Sequence, residues 1–202
     1  DKIVVSGSSA GGYGTFSGYG VMRVKYPNTE ILVLNDAGPG LQNPQALDMN
    51  GDVQNNWKIT QFYPPTCPLC FGEPLYLTDW AMTRDPTLRG SLFSSLHDYV
   101  IRDFLALSPD DYAALLLDIS GRVQSRHPDR LKRFFVDNDF HTIMLGIGIT
   151  PDGRPGPTYR NLKIGDTLLP KWVYDFANNG PAWQDLVEPT QAPTATQTPS
   201  QS

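Results

Sequence analysis

The opening stretch constrains this chain most. Asp1-Lys2-Ile3-Val4-Val5-Ser6 runs directly into Gly7-Ser8-Ser9-Ala10-Gly11-Gly12-Tyr13-Gly14-Thr15. An apolar run followed by G-x-S-x-G and further small residues predicts a strand that reverses at once into a helix with Ser9 at the tip, the pattern of a nucleophile elbow. Such a reversal brings together the backbone two residues before and two residues after the serine. Gly7 and Gly11 are therefore expected on steric grounds. The same glycines fit two phosphate-binding patterns less well. A P-loop needs Lys and then Ser or Thr after its last glycine, whereas Gly12 is followed by Tyr13-Gly14. A dinucleotide fingerprint finds an acidic residue, Asp36, at the end of the next strand, but meets Ser9 where it wants glycine.

Beyond that motif, a length of 202 residues with 40% hydrophobic content suits one α/β domain with a full core. A net charge of −5 leaves no basic face to follow a phosphate backbone, so nucleic acid is not an expected partner. No apolar run is long enough to predict a membrane span. Because the chain opens inside the elbow strand, it is expected to be a fragment that lacks the earlier strands of its sheet and, alone, to be inactive. The two cysteines lie in Pro64-Pro65-Thr66-Cys67-Pro68-Leu69-Cys70. A zinc site wants four ligands, and His97, His127 and His141 are scattered, so no metal is expected there. A local Cys67–Cys70 disulfide in an oxidising compartment is preferred over free thiols.

The rest of the chain alternates strands and helices. Ala10 to Tyr26 predicts a glycine-rich helix that only close packing could hold, since each glycine costs about 1 kcal/mol relative to alanine. Glu30 to Leu34 is a continuous apolar run, as in a parallel strand covered on both faces, and it ends at Asn35-Asp36-Ala37-Gly38. Leu41 to Gly72 shows little periodicity and is expected to pass over the ligand-binding edge; Trp57, Phe62 and Tyr63 are either pocket walls or packing for the loop itself. A helix over Pro74–Thr83, a strand over Leu88–Leu96 and a short helix over Tyr99–Leu105 follow. Ser108-Pro109-Asp110-Asp111 is a helix start, with an N-cap serine, proline in the first turn and acids at the positive end of the dipole. Tyr112, Leu115, Leu116, Ile119 and Val123 share its buried face. A strand over Leu131–Val136 leads into Asp137-Asn138-Asp139-Phe140-His141, Thr150 to Gly156 is turn-like, and Thr167–Asn178 closes the domain as an amphipathic helix. This order predicts a parallel sheet with helices on both faces over residues 1–187. Residues 188–202, rich in Pro, Thr, Gln, Ala and Ser, are expected to be a disordered, extracellular-type tail.

A serine hydroxyl becomes nucleophilic when a histidine takes its proton and a carboxylate orients that histidine. In the order Ser, acid, His on loops after successive strands, Asp98 and His141 qualify, with Asp36 as the rival acid. Taken together, Gly7-Ser8-Ser9-Ala10-Gly11-Gly12, Leu34-Asn35-Asp36-Ala37-Gly38, Asp98 and Phe140-His141-Thr142 resemble the pectin acetylesterase and Notum family of α/β-hydrolases over most of Asp1 to about Val173. With two cysteines, the chain looks like a pared-down bacterial-type relative. The resemblance implies a carboxylic ester hydrolase acting on an acylated polysaccharide or protein, without a cofactor, and the tail composition points to secretion. It implies Ser9, Asp98 and His141 as the triad and the Ala10 backbone N–H as an oxyanion donor; from their positions at a strand end and on the excursion, Asp36 and Trp57 are candidates for substrate binding. A non-catalytic carbohydrate-binding module on the same scaffold is the alternative, and a dinucleotide-binding domain a weaker one.

Overall fold

Parallel strands buried on both faces need apolar residues at every position, and Ile31-Leu32-Val33 supplies them. Ile31 and Val33 face one layer of the core, and Leu32 faces the other. The computed structural model describes residues 1–43, 45–46 and 53–190. Its elements are β1 (Lys2–Ser8), α1 (Ala10–Lys25), β2 (Glu30–Asp36), α2 (Val53–Asn56), α3 (Tyr76–Arg84), β3 (Arg89–Ser95), α4 (Tyr99–Phe104), α5 (Pro109–Arg126) and β4 (Leu131–Val136). Two small hairpins follow, β5 (Ile147–Ile149) with β6 (Pro155–Thr158) and β7 (Lys163–Ile164) with β8 (Thr167–Leu168), then α6 (Leu169–Asn178) and β9 (Leu186–Val187). The main sheet has the order β1-β2-β3-β4-β9, and each adjacent pair is parallel.

Helices cover both faces. Tyr13, Phe16 and Tyr19 of α1, Leu77 and Met82 of α3, and Tyr112, Leu116 and Val123 of α5 pack on the face carrying Ile31, Val33, Leu92 and Phe135. Leu169, Trp172 and Phe176 of α6 pack on the opposite face against Leu32, Phe93 and Phe134. The Trp172 indole N–H donates to the Gln184 carbonyl at 2.8 Å, and Trp183 donates to Ser91 Oγ at 2.8 Å, so both large rings are buried without an orphaned donor. The register aligns Ser8 with Asp36 and Asp36 with Phe93, and Ser95 with Val136. The segments leaving β1, β2, β3 and β4 therefore meet at one carboxyl edge, where open α/β sheets bind ligands.

The structure corrects the sequence reading at several points. Leu186–Val187 forms a fifth strand, too short to show periodicity, that adds to β4. Glu188, assigned to the tail by composition, continues that pairing: its N–H donates to the Phe135 carbonyl and its Oε2 accepts from the Asp137 N–H, at 2.9 and 2.8 Å. The rest of the tail expectation, 191–202, lies outside the described residues. The turn over Thr150–Gly156 belongs to a hairpin, and the last helix begins at Leu169, leaving Leu168 exposed on β8. The disulfide preferred from the sequence is present, joining Cys67 to Cys70 within the Leu41–Gly72 excursion.

Glu73 closes that excursion. Its carboxylate accepts the Gln42 N–H at 2.8 Å, and burial pushes it from an ordinary 4.5 up to about 7. Between those pH values the unfolded chain has released this proton and the folded chain keeps it, so the Glu73 contribution to stability falls as pH rises through the window. Glu73→Gln is expected to flatten the decline and to gain on the order of 1–3 kcal/mol at pH 8. Urea denaturation of both proteins from pH 4.5 to 8 checks this, and equal pH slopes would refute it.

Candidate active site

The elbow is built by backbone contact. Ser9 sits between β1 and α1 at φ 57° and ψ −123°, a sparsely populated conformation that costs about 1–3 kcal/mol and needs its surroundings to hold it. A Cβ on Gly7 would lie 2.2 Å from the Gly11 carbonyl oxygen, so glycine is required there. The expectation for Gly11 itself is not met, because a Cβ at that position points into open space. The second close approach belongs instead to Gly12 and Gly38, where a Cβ on Gly12 would fall 2.8 Å from the Gly38 Cα. Asn35 locks the two together: its Nδ2 donates to the Gly12 and Gly38 carbonyls, and its Oδ1 accepts the Gly38 N–H.

Ser9 occupies the N-cap position of α1, yet its hydroxyl makes no capping bond and no other hydrogen bond among the described residues. The side chain is half-buried and uncommitted. Ala10 begins the helix, so its N–H has no acceptor within the helix and faces the same edge.

His141 follows β4 and is pinned to β5 by reciprocal backbone bonds with Ile149, at 2.8 and 3.1 Å. Its Nδ1 lies 2.8 Å from Asp98 Oδ2 and 3.0 Å from Oδ1. An ionised carboxylate only accepts, so Nδ1 is the donor in this contact, and Nε2 has no partner among the described residues. Asp98 is fully buried and also caps α4, accepting from the Val100 and Ile101 N–H groups at 3.0 and 3.1 Å. Burial pushes its carboxyl up, while the bond to His141 and the two amides favour the anion.

Other histidines and carboxylates are engaged elsewhere. His97 contacts Asp137 and the Pro109 carbonyl, and His127 lies between Asp79 and Arg130. Asp118 pairs with Arg122 on the exposed side of α5. Asp36, the alternative acid and a candidate for substrate contact, is 1% exposed. Its carboxylate accepts from Ser8 Oγ at 2.6 Å, from Ile143 N at 3.1 Å and from Met144 N at 3.0 Å. Burial pushes its carboxyl up, and these donors oppose that push. All of these donors belong to the chain itself, so Asp36 ties elements of the fold together. Trp57 stacks edge-on against Tyr13 and at a tilt on Phe104, each at 5.5 Å, bridging α1 and α4. It is 38% exposed and lines a cavity of about 240 Å³ with Ala10, Gly14 and Tyr63, so it serves both as a wall and as loop packing. Sequence reasoning missed the roles of Ser8 and Asn35; the available signal was polar side chains at the ends of otherwise apolar strands.

Comparison with protein-family models, curated proteins and solved structures finds no match for this chain. No helix among the described residues is long and apolar enough to cross a membrane, and none of their His, Cys, Asp and Glu side chains cluster to hold a metal ion.

Asp98→Asn separates orientation from folding, because asparagine caps a helix as well as aspartate does. The variant is expected to keep its melting temperature within a few degrees and to move the imidazole proton off Nδ1, read by ¹⁵N NMR of His141. An unchanged tautomer would show that Asp98 does not set it.

Proposed function

We propose that the chain is a serine carboxylic ester hydrolase on an α/β-hydrolase-like sheet. The observation that carries the reading is the Asp98–His141 pair, which leaves Nε2 uncommitted at the same sheet edge where the Ser9 hydroxyl is left free by a strained turn. In this reading His141 Nε2 accepts the Ser9 proton as Oγ attacks the ester carbonyl. The buried Asp98 carboxylate stabilises the imidazolium that forms. The carbonyl oxygen becomes an oxyanion, toward which the Ala10 N–H is a preorganised donor. Collapse expels the alcohol, which takes the proton from His141, and water then cleaves the acyl-enzyme with the same base.

The resemblance to the pectin acetylesterase and Notum family supports an acylated polysaccharide or acylated protein as substrate. The disulfide between Cys67 and Cys70 and the Pro/Thr/Ser-rich composition of 188–202 favour an extracellular setting.

The full-length protein is expected to hydrolyse a short-chain p-nitrophenyl ester, and Ser9→Ala within it to lower turnover by on the order of 10⁴- to 10⁶-fold. A fluorophosphonate adduct should map to Ser9. An adduct elsewhere, or equal turnover in both proteins, would overturn the assignment; a wild type that binds acylated glycan without cleaving it would favour the non-catalytic module.

A further inference from the structure

The elbow and the base loop come from distant parts of the chain, and one side chain joins them. Asp36 holds the elbow twice: its carbonyl accepts the Ser9 N–H at 2.8 Å, and its carboxylate accepts the Ser8 hydroxyl at 2.6 Å. The same carboxylate accepts the N–H groups of Ile143 and Met144, across 107 and 108 residues of sequence. Ile143 is two residues from His141, and the intervening Thr142 is held at φ 54°, a conformation that favours glycine. Two residues span at most about 7 Å of chain, so a shift of Ile143 moves the imidazole almost directly.

From this arrangement we infer that Asp36 is a positioning residue: its buried carboxylate clamps the Ile143–Met144 backbone to Ser8 and thereby sets His141 against Ser9. This rests on the esterase reading for its catalytic consequence, but the placement of His141 can be measured without it. The clamp needs a carboxylate. Its two oxygens accept from three donors, and two of these, the Ile143 and Met144 N–H groups, can only donate, Ile143 N lying 3.1 and 3.2 Å from the two oxygens. Either orientation of an asparagine amide would turn an NH₂ group toward a backbone N–H, that of Ile143 or that of Met144. The repulsion falls on the base loop rather than on the sheet, because β1 and β2 keep their ladder through Ser8 and Asp36 backbone atoms. Ser8→Ala removes a single link and leaves both backbone donors in place, so its effect is smaller in the same direction.

In the full-length protein, Asp36→Asn and Ser8→Ala, compared with wild type, test the clamp through kcat and KM on p-nitrophenyl acetate and through the His141 Nδ1–H resonance. A base displaced by about 1 Å costs roughly 10²-fold, so kcat of Asp36→Asn should fall by that order while KM stays within about threefold. Loss of one hydrogen bond should lower kcat of Ser8→Ala roughly 3- to 10-fold. In Asp36→Asn the Nδ1–H proton should broaden and exchange faster with solvent while the remaining amide spectrum stays native. Native kcat with an unchanged resonance overturns the clamp, and so does a lowered kcat with an unchanged resonance, which would place the effect of Asp36 elsewhere. If Asp36→Asn does not fold, Ser8→Ala decides by the same two readouts. A wild type that hydrolyses no ester refutes the esterase reading alone, and the resonance then decides the clamp.

Discussion

The close approach of β1 and α1 to the turn that follows β2 is the constraint on which the rest depends. A strand that reverses directly into a helix must bring backbone against backbone, and here it does so at Gly7 against Gly11 and at Gly12 against Gly38. No side chain fits at those contacts, so packing is exchanged for hydrogen bonds, and Asn35 supplies them from within the sheet. The strained backbone of Ser9 persists because its N–H is held by Asp36 and its carbonyl by Tyr13. A helix with five glycines would be marginal alone; Tyr13, Phe16 and Tyr19 buried against Ile31 and Val33 compensate.

Two buried carboxylates sit at the same sheet edge and are used differently because their donors differ. Asp98 accepts from a ring nitrogen and from the first turn of α4, so its charge is directed at His141. Asp36 accepts from a hydroxyl and two loop amides, so its charge holds chain segments together. Desolvation pushes both carboxyls up, and the donors around each one favour the anion. The division of labour follows from hydrogen-bond geometry rather than from exposure, since both are almost wholly buried.

Long elements with strong patterns were legible in the sequence. The run Ile31-Leu32-Val33, the capped start at Ser108-Pro109 and the stripe Tyr112, Leu116, Ile119 and Val123 all depend on neighbours within one or two turns, and Ser108 does accept the Asp111 N–H. Short elements were not. Leu186–Val187 becomes a strand only because β4 has an unpaired edge beside it, and Ile147–Ile149 pairs only because Pro155–Thr158 returns alongside. Spacing around Ser9 points to Gly11, whereas the turn after β2 makes its close approach at Gly12.

By itself the sequence determined the alternation of strand and helix, the sharp turn at Ser9 and the set of residues able to do acid–base work, because each of these is written in local pattern and composition. Only the tertiary structure decided which carboxylate meets His141 and what the other one does. Asp98 and His141 are 43 residues apart, and Asp36 and Ile143 are 107 apart. No local preference encodes such pairings; they follow from strand register, which brings four chain segments to one edge and leaves each buried carboxylate to find the donors that happen to face it.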